Sequence, residues 1–253
     1  MIKNKFILQC AKLSNYSYSD LNDFSHKIKN DNIKYDDLVL LNEKGCQAYI
    51  LNTKNEIFVI IKGSSEIDDF LTNLKFFNKK DKIIKARIHE GFKQYADNIF
   101  IQLKKYLKQN SKNKEIYLIG HSLGGSIAKI LSLRLTNNLN CITFGEPKSF
   151  KSSPLKETFY VKNFYRIANS KDFITNIPNF YHHGKISNEK HLYFNLKGNL
   201  IVNPVNHEIK RENFFIFMLN IISFKYFINI FFKKSIKNHE IKNYIKLLEK
   251  NLN

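Results

Sequence analysis

Ser122 stands between glycines two positions to either side, in Gly120-His121-Ser122-Leu123-Gly124. The apolar run Glu115-Ile116-Tyr117-Leu118-Ile119 precedes it, and Ser126-Ile127-Ala128-Lys129-Ile130-Leu131 follows with a small-residue helical pattern. A serine held in the sharp turn between a strand and a helix exposes its hydroxyl for nucleophilic attack. Glycines are needed on both sides because side chains there would collide with the neighbouring strand and helix. The turn also sets Ser122 at a helix N-terminus, where backbone N–H groups without helical partners can steady a developing oxyanion. The competing reading is an inert serine in a tight structural turn. The strand–turn–helix setting favours the nucleophile.

Serine attacks poorly until a base takes its proton, and that base needs an acid to orient it. In a strand–turn–helix serine site the partners follow downstream, acid first and histidine second. Asp172 fits the acid: it lies in Asn169-Ser170-Lys171-Asp172, just beyond the strand-like Tyr160–Ile167, and strand exits are where α/β sheets assemble their sites. A turn or capping aspartate ahead of Pro178 is the alternative. For the base, His182, His183 and His191 follow Asp172 closely, while His207 and His239 come later. His182-His183 has no third ligand at a metal-binding spacing, so neither a metal nor a cofactor is expected. Side-chain chemistry alone leaves both His207 and His239 open.

Strands and helices alternate around these residues. Residues 5–30 read as helical, and Cys46–Leu51 and Glu56–Ile61 read as a hairpin turning at Asn52–Asn55. Phe92, Tyr95, Ile99, Leu103 and Leu107 give residues 91–110 a helical period. Then follow the Ser122 strand, its helix to about Leu135, strands at Cys141–Phe144 and Tyr160–Ile167, and a small hairpin over Leu192–Val202. The alternation predicts a single α/β domain spanning residues 1–253.

Charge and cysteine content narrow the class. The 253 residues carry 41 Lys and Arg against 22 Asp and Glu, a net +19. Such a balance suits an anionic phospholipid surface or nucleic acid. The lysines are scattered, however, and no nucleic-acid-binding signature accompanies them, so no nucleic-acid partner is expected. Much of the charge reflects a general abundance of Lys, Asn and Ile. Three scattered cysteines suit a reducing compartment or a disulfide-free fold. The N-terminal segment has only a broken apolar stretch and reads as a helix, not a signal peptide. A cytoplasmic or peripheral membrane location is therefore expected, or export without a signal.

Several segments together resemble the fungal-type class 3 lipases, a branch of the α/β-hydrolases. Ile61-Lys62-Gly63-Ser64-Ser65 resembles that family's Phe-Arg-Gly-Ser/Thr motif, and Ile67–Leu74 resembles the lid segment after it. Ile88-His89-Glu90-Gly91-Phe92 is similar to its His-x-Gly-Phe stretch, and Thr143–Lys148 to Thr-Phe-Gly-x-Pro-Arg. Tyr165 through Asp172 and on to Pro178 resembles the strand and loop carrying the acid; His239–Tyr244 resembles the terminal His-x4-Tyr. The resemblance implies a mostly parallel central sheet flanked by helices, with a short lid at residues 66–77. It implies Ser122 as nucleophile, Asp172 as acid and His239 as base, with Ser64 and the backbone N–H of Leu123 forming the oxyanion hole. His89 and His121 are then structural, and Asp68 and Asp69 hinge or cap the lid. Lys62 stands where the family has arginine, Phe70 replaces the lid tryptophan, and the disulfides of secreted fungal members are absent.

Residues 214–232, within an apolar helical segment at 208–236, are long enough to span a bilayer. Lys225 near the centre costs about 2.5–3.5 kcal/mol on insertion scales. A span between Ser122 and His239 would also part nucleophile and base. The segment is therefore expected to pack in the core or to dip into a lipid surface. The expected activity is hydrolysis of lipid carboxylic esters, of the triacylglycerol lipase or phospholipase A type, at an anionic membrane surface. The alternatives are a catalytically inactive lipase-like module that binds membranes or a partner, and a short-chain esterase or acyltransferase using the same three residues. Oligomeric state is left open.

Overall fold

In the computed structural model the N-terminal helical pattern divides into α1 (Asn4–Tyr16) and α2 (Leu21–Asn30). The expectation of one continuous helical stretch is corrected at Asp20. Its extended backbone begins a second helix, and its carboxylate accepts the Asp23 N–H at 2.9 Å. The structure describes residues 4–64, 77–152, 161–178, 181–184, 186, 188–205, 209 and 236–251. The expected lid at 66–77 and the apolar segment at 208–236 fall almost wholly outside them. Among the described residues no helix is long and apolar enough to cross a membrane.

The chain continues through β1 (Asp37–Glu43), β2 (Cys46–Asn52), β3 (Glu56–Ile61), β4 (Asn78–Asp81), β5 (Ala86–His89) and α3 (Glu90–Asn110). Next come β6 (Glu115–His121), α4 (Leu123–Arg134), β7 (Leu139–Phe144), β8 (Val161–Asn169) and a 3-10 turn at Phe173–Asn176. Strands β9 (Glu189–Phe194) and β10 (Leu200–Val202) and helix α5 (Ile241–Lys250) complete it. Eight strands form one sheet in the order β1-β2-β3-β6-β7-β8-β9-β10. From β3 to β9 neighbours run parallel, and antiparallel strands finish both edges. This is the mostly parallel, helix-flanked α/β sheet that the resemblance implies.

Period-two alternation divides the core between the two faces of the sheet. On β6, Ile116 and Leu118 pack with Phe92, Ile99, Leu103 and Ile127 from α3 and α4. Tyr117 and Ile119 point the other way, among Ile7 and Leu13 of α1, Phe24 of α2 and Leu248 of α5. Helix α4 is buried along its whole length, which explains its lack of a polar stripe. Its two cations are therefore paired. Lys129 Nζ lies 3.3 Å from Glu146 and 3.4 Å from Glu189, and Arg134 reaches Asp81 at 2.5 Å and Asp97 at 2.8 Å.

Strand β1 and the β4–β5 hairpin were not expected. Leu38-Val39-Leu40-Leu41 ahead of the Lys44-Gly45 turn is a legible strand signal that the reading passed over. The β4–β5 hairpin is largely polar. It is held by Asp81, which accepts the Ile83 and Ile84 amides and the Arg134 guanidinium. The hairpin at 192–202 is present as β9 and β10, and β9 in addition extends the main sheet by pairing parallel with β8.

Candidate active site

The turn from β6 into α4 leaves no room for side chains. A Cβ on Gly120 would lie 2.2 Å from the Gly124 carbonyl oxygen, and one on Gly124 only 2.3 Å from that of Ile61. Ser122, between them, has φ 57° and ψ −130°, a conformation that costs a non-glycine residue about 1–3 kcal/mol. Its amide donates to the Phe144 carbonyl at 2.9 Å, tying the turn to the end of the neighbouring strand. The exit loop of β3 lies against the first turn of α4: Gly63 N would be 3.0 Å from a Gly124 Cβ. Half-buried Ser64 and buried Leu123 therefore lie in adjoining segments. Lys62, in the family's arginine position, donates to Gln47 Oε1 at 3.0 Å.

Asp172 is fully buried and caps the 3-10 turn: its Oδ1 accepts the Ile174 amide at 2.9 Å. Its Oδ2 accepts from His239 Nδ1 at 2.7 Å and from the Tyr244 hydroxyl at 2.6 Å. The capping role and the acid's geometry are thus compatible, one oxygen serving each. Burial, and then the adjacent Asp172 charge, push the Tyr244 phenol well above its usual pKa, so it stays a donor. Gly145 closes the site from β7, since a Cβ there would meet Asp172, His239 and Tyr244 at 3.0–3.1 Å.

His239 is held through its backbone as well as its ring. His121 Nε2 donates to the His239 carbonyl at 2.6 Å, and His121 Nδ1 accepts from the Tyr18 hydroxyl at 2.8 Å. The two imidazole centroids are 4.7 Å apart. Asp172 and His239 are therefore joined, and His239 sits beside the residue preceding Ser122. Ser122 Oγ and His239 Nε2 are both buried, and neither has a hydrogen-bond partner among the described residues. A serine–histidine hydrogen bond is not made in this structure, and such bonds are commonly long until substrate binds. His207, Asp68 and Asp69 lie outside the described residues. His183 lies 3.3 Å from Glu146 after β7, His191 meets Arg166 across β8 and β9, and His89 packs against Phe92 and Tyr181.

The Tyr18–His121–His239 chain was not expected from the sequence. Nothing local signals it, because the partners are 103 and 118 residues apart. Burial, and next the adjacent His239, hold His121 well below the ordinary histidine pKa. Its unfolded pKa is about 6.5, so the unfolded chain takes up the proton first and stability falls as pH drops below that value. Between pH 6.5 and 5, wild-type protein is therefore expected to lose stability that His121→Gln keeps, the difference steepening as pH falls toward a limit of ~1.4 kcal/mol per pH unit. Urea unfolding of both proteins across that range is the check. Parallel declines would contradict it.

Residues 58–182 match the family model described as Lipase (class 3). Over 113 residues the chain is 26% identical to a secreted mono- and diacylglycerol lipase of Fusarium solani, covering 41% of this chain and 34% of that one. It is 29% identical over 102 residues to a chloroplastic phospholipase A1 of Arabidopsis thaliana, covering 36% and 14%. The chain thus spans about a third or less of these relatives' length. Among solved structures, it resembles the triacylglyceride lipase of Rhizomucor miehei with a TM-score of 0.56 and 18% identity, covering 75% of this chain and 79% of that one. The LIP2 lipase of Yarrowia lipolytica gives 0.54 and 18%, covering 74% and 79%.

Proposed function

The chain belongs to the class 3 lipase family of the α/β-hydrolases, and on that premise we propose that it hydrolyses carboxylic esters of lipids through an acyl-enzyme on Ser122. The observation that carries this reading is the buried Asp172–His239 pair beside a serine in a strained strand-to-helix turn. His239 Nε2, with Nδ1 bonded to the carboxylate, is free to take the Ser122 proton as Oγ attacks the carbonyl. Ser64 and the Leu123 N–H receive the oxyanion charge as the tetrahedral intermediate forms. The imidazolium returns the proton to the departing alkoxide, and water attacking the acyl-enzyme repeats the sequence. Asp172 stays ionised, fixing the tautomer and balancing the imidazolium. Tyr244 holds Asp172 in register as a positioning residue.

Ser122 and His239 are both shut from solvent. Whatever covers them has to move before a lipid reaches the hydroxyl, which favours an enzyme activated at an interface over one acting on dissolved short-chain esters. The net charge of +19 favours anionic over neutral surfaces. Release of p-nitrophenol from monomeric p-nitrophenyl acetate, and of fatty acid from diacylglycerol emulsions and phosphatidylglycerol vesicles, tests this. Turnover that rises sharply above the aggregation threshold of the lipid is expected. Turnover of the soluble acetate alone would point to a short-chain esterase, and vesicle binding without any turnover to an inactive module.

A further inference from the structure

Beside the loop that carries Asp172 lies a cavity of ≈ 230 Å³ that the proposed ester chemistry does not use. In the β8–β9 register Arg166 pairs with His191 and Ala168 with Tyr193, so these four face the cavity from one side of the sheet. Ser170 lines it from the acid loop and Lys148 from the segment after β7. Asn169, Thr175 and Asn176 line it too, but the buried unpartnered polar atoms the site offers include donors on His191 and Ser170. Arg166 Nη2 lies 2.9 Å from His191 Nδ1; a guanidinium can only donate, so His191 Nδ1 accepts and its Nε2 carries the proton. That Nε2 is buried with no partner among the described residues. Ser170, 3% exposed, has an equally buried and unpartnered hydroxyl.

The charges are unbalanced in the same sense. The Glu189 oxygens are taken by Arg166 at 2.9 Å and Lys129 at 3.4 Å, and Lys129 also holds Glu146. Among the described residues no carboxylate lies within ion-pairing distance of Lys148, although Arg166 and His183 share its cavity. Burial, and then Arg166, lower the Lys148 pKa, the mark of a cation that an anion would relieve. The histidines do not add charge. Burial holds His183 well below its usual pKa and brings His191 down to about 2.

We infer that this cavity is an anion site that takes a phosphate-type oxyanion on Lys148, Ser170 Oγ and His191 Nε2, with Arg166 adding charge behind them. The three line the cavity from separate segments, His191 from the sheet, Ser170 from the acid loop and Lys148 from the β7 exit, as a group with several acceptor oxygens requires. The space is several times the ~30 Å³ of a water molecule. Two sources share this chemistry: free phosphate, and the phosphodiester of a lipid headgroup. Only the second rests on the proposed lipid hydrolysis.

Calorimetric titration with inorganic phosphate, at ionic strength matched by sodium chloride, tests the site without reference to activity. Wild-type protein is expected to bind, Lys148→Met and Ser170→Ala to bind at least tenfold more weakly, and the exposed-lysine control Lys105→Met to bind as wild type. Circular dichroism verifies that each variant is folded, and Lys148→Arg is expected to restore binding. Competition by phosphate against phosphatidylglycerol hydrolysis assigns the site to the headgroup; binding without competition assigns it to free phosphate. No binding by folded wild-type protein would overturn the inference, as would equal weakening in Lys105→Met.

Discussion

Ser122→Ala is expected to lower kcat by about 10⁶-fold on any lipid ester while leaving the protein folded. The magnitude follows from losing the only atom that forms the acyl bond; what activity persists comes from binding and oxyanion stabilisation. Stability should be unchanged or slightly higher, because the Ser122 hydroxyl is buried without a partner and its removal relieves an unsatisfied polar group. Backbone strain at φ 57° is the same for alanine and serine. Initial-rate measurements paired with thermal melts separate the two effects. A variant that keeps a tenth of the activity, or one that melts well below wild type, would show that Ser122 serves the turn and not the reaction.

The second large effect belongs to Asp172→Asn. Three donors converge on this carboxylate: the Ile174 amide on Oδ1, and the His239 ring and Tyr244 hydroxyl on Oδ2. An asparagine can accept on only one side. If its oxygen replaces Oδ2, its NH₂ faces the Ile174 N–H; if the amide is flipped, its NH₂ faces His239 and forces the opposite tautomer. The first opposes donor to donor, and the second escapes that only by the change of tautomer. In the second, His239 Nε2 carries the proton and cannot receive one from Ser122. A fall of about 10⁴-fold in kcat is expected, with KM changed far less. Because ordinary deprotonation no longer frees His239 for its task, the residual activity should also climb toward alkaline pH, where hydroxide assists. A pH–rate profile of the variant between pH 6 and 10 reads this. A loss under tenfold, or a profile parallel to wild type, would remove Asp172 from the proton path.

Ser122 and Asp172 were legible because their signals are local: a strand, a five-residue turn and a helix for one, the exit of a strand for the other. His239 was not fixed by chemistry, since His207 carried an equal claim and only the family resemblance separated them. Its contacts explain why. They join it to Asp172, 67 residues earlier, and to His121, 118 residues earlier, distances that no spacing rule spans. Tyr18 was missed altogether, as the turn after α1 supplies it from the opposite end of the chain. Strands β2, β3, β6 and β7 were readable as apolar runs because the sheet buries both of their faces. Polar β4 and β5 had no such signature, and their Asp81–Arg134 anchor joins segments 53 residues apart. The α1–α2 break turned on the single cap at Asp20, too small a signal against the helical residues around it.

The most direct test of a Ser122-centred hydrolase is to treat the folded wild-type protein with a fluorophosphonate in the presence of phosphatidylglycerol vesicles, and to map the adduct by mass spectrometry of its peptides. Fluorophosphonates react with serines that a neighbouring base has activated and leave ordinary serines unmodified. The expected result is one adduct, on the peptide holding Ser122, that requires His239. Folded protein that binds the vesicles yet gains no adduct, or gains it on another serine, would contradict the assignment of Ser122 as nucleophile.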